Sequence, residues 1–288
     1  MKKTFKIIIC FLFIVMLSSC SCGKKSDHQL IQISGYDAYD FYTAKSNMIL
    51  VLTDSTNEEY TSLMDNLTKI IKVAESNIYY VDMSYADAIQ YEMLNAAFSN
   101  DGFANQIMCI QNGIIAVNQS EAIDYDQLSP IIKGKKYQAL DLSAKDSEKS
   151  DFYQKAGEAY DQGLIGQSFY FYSLSIPYQD SITLLKSDKF YLLNNWLFKE
   201  TKDSKYTYLN ISFSQDGNIL YRRYFKGSKK DFNEETLEIK SYEYYLKKKT
   251  IYVKNDSGKY EKLYTIDRLT KDELKVHTTK RTYQFDKE

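Results

Sequence analysis

Four cysteines, Cys10, Cys20, Cys22 and Cys109, and two histidines, His28 and His277, carry the most reactive side chains of this 288-residue chain. Thiol–disulfide exchange needs a thiolate that attacks a disulfide sulfur. No Cys-x-x-Cys pair occurs, and Cys109 lies inside the apolar run Ile107–Ile110, where a thiol behaves as a small buried hydrophobe. Zinc sites need clustered cysteine and histidine ligands, and the two histidines stand at opposite ends of the chain, so no metal or other cofactor is expected. The sequence also lacks a Ser-His-Asp set, a phosphate-cradling glycine loop and a dinucleotide glycine motif, and no enzyme activity is expected. What remains are basic clusters at Lys247-Lys248-Lys249, Arg222-Arg223 and Lys229-Lys230. These read either as solvated strand edges protected by charge or as contacts to an anionic headgroup or wall polymer, with Lys247, Lys248 and Lys249 the candidate binding residues.

The first cysteines belong to an address signal. Lys2, Lys3 and Lys6 precede an apolar run of eleven residues, Ile7 to Leu17. That is too short for a membrane-spanning helix of ~20 residues and fits the apolar region of a secretory signal. The run ends in Leu17-Ser18-Ser19-Cys20, which resembles the bacterial lipobox, with an aliphatic residue three before the cysteine and small residues between. The resemblance implies cleavage after residue 19, a diacylglyceryl thioether on Cys20 and frequent acylation of the new amino terminus. Two or three such chains, at ~0.8 kcal/mol per buried CH₂, hold a protein on the outer face of a membrane. Residues 20–27, with Lys24 and Lys25, then form a lipidated tether. The triplets at Asn66, Asn118, Asn210 and Asn255 would be glycan acceptors only in a eukaryotic secretory protein.

At ~150 residues per domain the length predicts about two domains. A hydrophobic fraction of 44% and a charged fraction of 26% exclude collagen, coiled coil and wholesale disorder. With 37 basic and 38 acidic residues the chain is not a nucleic-acid binder by charge. Twenty-seven tyrosines and 15 phenylalanines predict aromatic-rich packing.

Residues 28–140 alternate strand-like and helix-like segments, the order of an α/β layer. Gln29–Ile33, Met48–Leu52, Ile78–Val81, Gln106–Ile110 and Ile114–Asn118 read as strands, and Tyr36–Thr43, Tyr60–Ile71, Ala86–Phe98 and Asp124–Lys133 as helices. Ser55 and Thr56, with Glu58 and Glu59 three residues on, have capping-box spacing before the second helix. Gln111-Asn112-Gly113 reads as a hairpin turn. This order, with Ile78–Met83 as the central strand and Ile107–Gly113 as the hairpin, resembles the thioredoxin-like fold. The family's dithiol would fall on Glu58-Glu59-Tyr60-Thr61 and its cis-proline on Asn105, so the resemblance implies a redox-inactive domain.

Residues 141–189 read as a linker with a helix over Phe152–Leu164: Asp141–Asp151 is polar, and Gln167–Leu174 is strand-like. From residue 190 to 288 short strands alternate with turns: Trp196–Lys199, Thr207–Phe213, Asn218–Phe225, Leu237–Leu246, Thr250–Lys254, Tyr260–Arg268, Leu274–Thr278 and Arg281–Phe285. Closing such a meander into an up-and-down barrel removes its exposed edges. Leu192-Leu193-Asn194-Asn195-Trp196, Phe213-Ser214-Gln215-Asp216-Gly217, Leu269–Leu274 and Thr282–Phe285 resemble the lipocalin-like small barrels of bacterial lipoproteins, with Asn194 where the family tends to have glycine. Leu209, Ile211, Phe213, Leu237, Ile239, Ile251 and Leu263 are expected to fill the interior, with Trp196 plugging one end.

Charge divides between the halves: residues 28–140 hold 6 basic and 14 acidic side chains, residues 190–288 hold 21 and 15. The expected fold is therefore α/β plus all-β, a thioredoxin-like domain followed by an antiparallel barrel of about eight strands. The expected role is a lipid-anchored, non-catalytic binding or accessory protein outside the cell. Its partners would be the membrane, through the anchor, and a protein or other envelope component; no nucleic acid is expected. The alternatives are an envelope thiol-disulfide oxidoreductase and a carrier of a small apolar ligand in the barrel.

Overall fold

The computed structural model describes residues 28–74, 76–98, 105–120, 137, 139–202, 205–226 and 234–288. The signal segment, Cys20, Cys22, the tether, the helix expected over Asp124–Lys133, and Lys229 and Lys230 lie outside them.

The first part is a five-stranded mixed sheet in the order β1-β3-β2-β4-β5. Its strands are β1 (Leu30–Gln32), β2 (Met48–Thr53), β3 (Ile78–Asp82), β4 (Gln106–Gln111) and β5 (Ile114–Ser120). β1, β3 and β2 run parallel, whereas β4 is antiparallel to β2 and β5 to β4. β2 and β3 are apolar at almost every position because both faces are covered. Helix α2 (Tyr60–Ala74) covers one face, setting Leu63, Leu67, Ile70 and Ile71 against Ile49, Val51, Ile78 and Ile107. Helices α1 (Gly35–Thr43) and α3 (Ala88–Phe98) bring Ala38, Leu94 and Phe98 to Leu50, Leu52, Val81 and Met108 on the other. Each large apolar side chain buried there contributes ~1.5–3 kcal/mol. The β4–β5 turn places Asn112 and Gly113 at φ 53° and 73°, the left-handed pair that a two-residue hairpin needs.

The start of α2 differs from the capping box expected of Ser55 and Thr56. The Asn57 carboxamide oxygen accepts from Glu59 N–H, and Asp54 accepts from Thr56 N–H. The backbone N–H of Ser55 instead donates to Asp82, across the sheet end. A tertiary acceptor has displaced the local cap.

The linker region is a helical layer: α4 (Asp146–Asp161), α5 (Ile165–Leu174) and α6 (Ser181–Leu185). The polar stretch from Asp141 becomes helical by Asp146. The run Gln167–Leu174, expected as a strand, is helical. Ile165, Ser168, Phe169 and Tyr172 fall at i, i+3, i+4 and i+7 and are buried, with Ile165, Phe169 and Tyr172 in one cluster with Ala156 and Phe190. Aromatic strand propensity yields here to packing context.

This layer is fastened to the sheet by charge. Ser34 and Asp37 form a capping box on α1. The Asp37 carboxylate also meets Lys149 of α4, Nζ to Oδ2 2.5 Å, with both side chains buried. Lys149 donates further to the Ile176 carbonyl, and Lys145 pairs with Asp37 at 3.2 Å and with Asp40.

The last part is a closed antiparallel barrel of eight strands: β6 (Asn195–Lys202), β7 (Lys205–Phe213), β8 (Asn218–Lys226), β9 (Glu234–Lys247), β10 (Thr250–Lys254), β11 (Tyr260–Leu269), β12 (Glu273–His277) and β13 (Thr282–Lys287). The meeting of β13 with β6 closes it. Leu209, Ile211, Phe213 and Ile251 are buried in its core with Trp196 and Phe285, and Leu263 packs partly against them. Ile239 does not face inward; it pairs with Arg222 and is 61% exposed. On β9 the alternate row Tyr242, Tyr244 and Leu246 contacts the core instead. A one-residue difference in register exchanges the two faces of a strand, and the bulky tyrosines took the inner one. The side chain of Leu237 lies outside the described ones.

The helical layer seats on one end of the barrel through two glycines. Gly163 (φ 80°) ends α4, accepts Leu246 N–H at 2.8 Å, and a Cβ there would stand 1.8 Å from the Leu246 carbonyl oxygen. At Gly166 a Cβ would approach the Ser214 and Gln215 carbonyl oxygens within 2.7 Å.

Replacing Lys149 by Met should leave the buried Asp37 carboxylate inadequately paired and cost about 3–5 kcal/mol in urea unfolding. An Asp37→Asn/Lys149→Met double variant should recover part of that loss. A single-variant cost below ~1 kcal/mol would show that the pair does not carry the junction.

Candidate functional site

The alternate-residue rows on the α2 face of the sheet change character at one end. Leu30 is followed by Gln32, Val51 by Thr53 and Tyr80 by Asp82, while on antiparallel β4 Ile107 is preceded by Asn105. The four polar side chains are all buried, at the carboxyl ends of the parallel strands, where open α/β sheets bind ligands. The start of α2 and the short helical turn Met83–Tyr85 adjoin them.

Asp82 Oδ1 accepts from Ser55 N–H (3.0 Å), Ser84 N–H (3.2 Å) and the Ser84 hydroxyl (2.8 Å). The Ser55 and Ser84 hydroxyls are 3.0 Å apart. The Thr53 hydroxyl donates to Asn105 Oδ1 at 2.8 Å, and the Tyr80 hydroxyl to Gln32 Oε1 at 3.0 Å. Asp82 Oδ2 and Gln32 Nε2 are buried without a hydrogen-bond partner among the described residues. Burial, reinforced by the Asp82 carboxylate, pushes the Tyr60, Tyr80 and Tyr85 phenols above the ordinary tyrosine range. The arrangement is a carboxylate among neutral hydroxyls. It clamps the loop before α2 to the turn after β3, and the groups it gathers hold protons firmly.

The residues singled out for thiol chemistry fall around this clamp. Glu58, Glu59 and Thr61 are exposed at the start of α2, Tyr60 turns toward Tyr80, and Asn105 is the acceptor for Thr53. Cys109 sits four residues along β4 from Asn105, buried beneath α2 with the Tyr137 phenol beside it. His277 lies on β12, its Nδ1 2.7 Å from Asp267 Oδ1. No group of three metal-ligating side chains occurs among the described residues, and none of their helices is long and apolar enough to cross a membrane.

Lys247, Lys248 and Lys249 are exposed in the β9–β10 turn, with Lys248 at φ 56°. A left-handed residue there favours glycine, so the lysine is held at a conformational cost. The turn is at the barrel end that meets the helical layer, and Lys247 and Lys248 edge a cleft of about 540 Å³ with Tyr160, Asp161 and Ile165. Trp196 is fully buried, its indole N–H donating to the Leu192 carbonyl at 3.1 Å. Asn194 donates from its side chain to the Tyr191 carbonyl at 2.8 Å, and β6 keeps an unbroken register with β7.

Sequence reasoning missed Asp37, Lys149 and Asp82. The Ser34-x-x-Asp37 spacing was a readable capping signal. Nothing local marks Lys149 as buried or Asp82 as a clamp.

No protein-family model matches the chain, and no curated protein matches it. Among solved structures it is similar to one titled as the NMR structure of the protein from Bacteroides uniformis ATCC 8492. The identity is 19%, the match spans 34% of this chain and 88% of that one, and the TM-score is 0.25. The fold is thus described by its own geometry: an α/β mixed sheet with helices plus a closed eight-stranded antiparallel barrel.

The buried phenols make stability fall at high pH. Unfolded tyrosine loses its proton near pH ~10, whereas Tyr80, Tyr85, Tyr244 and Tyr264 ionise at higher pH in the folded chain. Their contribution is complete below pH ~10 and is lost as pH rises toward the folded values, because the native state then binds more protons. Thermal midpoints should drop steeply above pH ~10, with tyrosinate absorbance appearing together with unfolding. Full ionisation of all tyrosines ahead of unfolding would contradict the burial.

Proposed function

We propose that this chain is a lipid-anchored, extracytoplasmic, non-catalytic binding or accessory protein. In this reading the mixed sheet is a thioredoxin-like domain without its dithiol, the barrel is lipocalin-like, and Cys20 carries the diacylglyceryl group. The strand order β1-β3-β2-β4-β5, with three parallel strands and an antiparallel hairpin, favours the first assignment. The Leu17–Cys20 lipobox pattern favours the anchor.

The clamp at the carboxyl end of the sheet is the observation that carries the non-catalytic reading. Beside the start of α2, where thiol exchange would need a nucleophile, Asp82, Ser55 and Ser84 bond one another, and the thiol among the described residues, Cys109, is buried in the sheet. The barrel core, filled by Trp196, Ile211, Phe213 and Phe285, favours binding through outer surfaces over carriage of a ligand inside.

Replacing Cys20 by Ala should abolish incorporation of labelled palmitate and release the protein from the membrane fraction; unchanged labelling would end the proposal, and transfer to Cys22 would move the anchor. In a dithiothreitol-driven insulin-reduction assay the mature protein should match the blank. Activity that vanishes in a Cys109→Ala variant would favour the oxidoreductase. Neutralising Lys247, Lys248 and Lys249 to Gln should weaken association with anionic vesicles more at low salt than at high, since surface charge is screened over ~8 Å at physiological ionic strength.

A further inference from the structure

Along β8–β11 the outside of the barrel carries apolar and aromatic side chains among cations. Ile219, Tyr244, Ile251 and Val253 are buried in the core, so the residues that alternate with them face outward. Two of these are large and aliphatic. Ile239 is 61% exposed and Leu220 41%, and the register, with Ile239 opposite Arg222 and Leu220 opposite Ser241, makes them diagonal neighbours across β8 and β9. Tyr245 and Tyr252 pair across β9 and β10 with their rings stacked at 5.0 Å, and Tyr260 of β11 meets Tyr245 edge-on at 4.8 Å.

The charge on this face is one-sided. Its described cations are Arg222, Lys247, Lys254 and Lys262, and its described acid, Glu243, is taken up by Lys254 at 2.8 Å. Arg222, Lys247 and Lys262 are exposed and stand opposite Ile239, Thr250 and Tyr252, so no acid answers them across the strands. Glu238 and Glu261 fall on the alternate row, opposite Arg223 and Val253. Beyond Lys247 the face runs into the exposed Lys248 and Lys249 of the β9–β10 turn.

A partner for this face must accept both features. As the outside of a closed barrel the face is convex, which suits a broad deformable surface better than a ligand that needs enclosure. A hydrated polyanion would answer the cations and leave Ile239 and Leu220 in water, whereas a bilayer presents anionic headgroups over hydrocarbon. Tyrosine rings favour that boundary, and lysine stems lie along apolar surface while their ammonium groups reach phosphate.

We propose that the outer face of β8–β11 rests on an anionic phospholipid bilayer. Ile239 and Leu220 enter the headgroup boundary, the three tyrosines lie at headgroup level, and Arg222, Lys247 and Lys262 meet phosphate groups. This inference rests on the reading of the lysine turn as a contact to anionic membrane, and adds an apolar element that the turn lacks. It does not depend on the anchor.

Vesicle titration of the mature chain carrying Cys20→Ser, which removes any acyl contribution, tests it. Ile239→Trp in that background places an indole at the point of entry, while Trp196, fully buried, supplies a constant background. With vesicles of equal parts phosphatidylglycerol and phosphatidylcholine, emission should shift to the blue and be quenched when the phosphatidylcholine carries brominated acyl chains. Phosphatidylcholine alone should give neither change. Leu220→Asn/Ile239→Asn should weaken co-sedimentation with the anionic vesicles about tenfold and leave the melting midpoint unchanged, since both positions are exposed. Replacement of Lys247, Lys248 and Lys249 by Gln separates the two readings. Weakening in that variant with none in Leu220→Asn/Ile239→Asn would overturn the face and leave the turn standing; loss in the apolar variant alone would support the face and move the contact off the turn. Equal binding to neutral vesicles, or an indole that stays in water while the chain co-sediments, would overturn the proposal. So would tighter binding to soluble polyphosphate than to vesicles, which would assign the cations to a wall polymer.

Discussion

The Asp37 carboxylate is the point through which the α/β part and the helical layer share one interior. It caps α1, receives Lys149 out of solvent and is flanked by Lys145, so a local helix cap has become a tertiary bond. Two charges buried together stabilise a fold less than apolar packing of equal volume, yet losing either one is costly. The pair marks where α4 meets α1, with Lys149 against the carboxylate. Every surface downstream inherits that placement, because the chain leaving α4 turns at Gly163 against Leu246 and the first turn of α5 sets Gly166 against the β7–β8 turn.

The same economy governs the sheet end. Rows of aliphatic residues that build the core beneath α2 finish in Gln32, Thr53, Asp82 and Asn105; Thr53 bonds Asn105, Gln32 accepts from Tyr80 within the sheet, and Asp82 alone reaches the loops, at Ser55 and Ser84. A buried carboxylate with two N–H donors and a hydroxyl is a strong local organiser. It holds the entrance to α2 in one conformation.

What was legible in the sequence follows physical range. Strands β2 and β3 announced themselves as unbroken apolar runs, and the barrel strands as alternation between turns such as Asp216-Gly217, with ends that differ by a few residues at most. Those signals are local. Helix α5 was not legible, because Phe169, Tyr170, Phe171 and Tyr172 favour strands by type and become helical through what they pack against, Ala156 and Phe190. Ile239 misled for a related reason: its hydrophobicity pointed inward, but pairing with Arg222 on the neighbouring strand put it outside. At the clamp the individual residues were ordinary, and only the parallel register of Thr53 with Asp82 brought them together. The lysine turn was readable as charge, though not as the edge of a cleft beside Asp161.

The seam between β13 and β6 gives the molecule an order in time. It joins Asp286 to Leu197 and Lys287 to Trp196, pairs separated by about 90 residues, and such distant pairings form late because the intervening chain must first be confined. The sheet and the helices emerge earlier in synthesis and have their own close contacts. Gly163 and Gly166 are therefore available as a platform before the final strand exists. The barrel can condense onto that platform as each hairpin is delivered, with β13 acting as the latch that closes it.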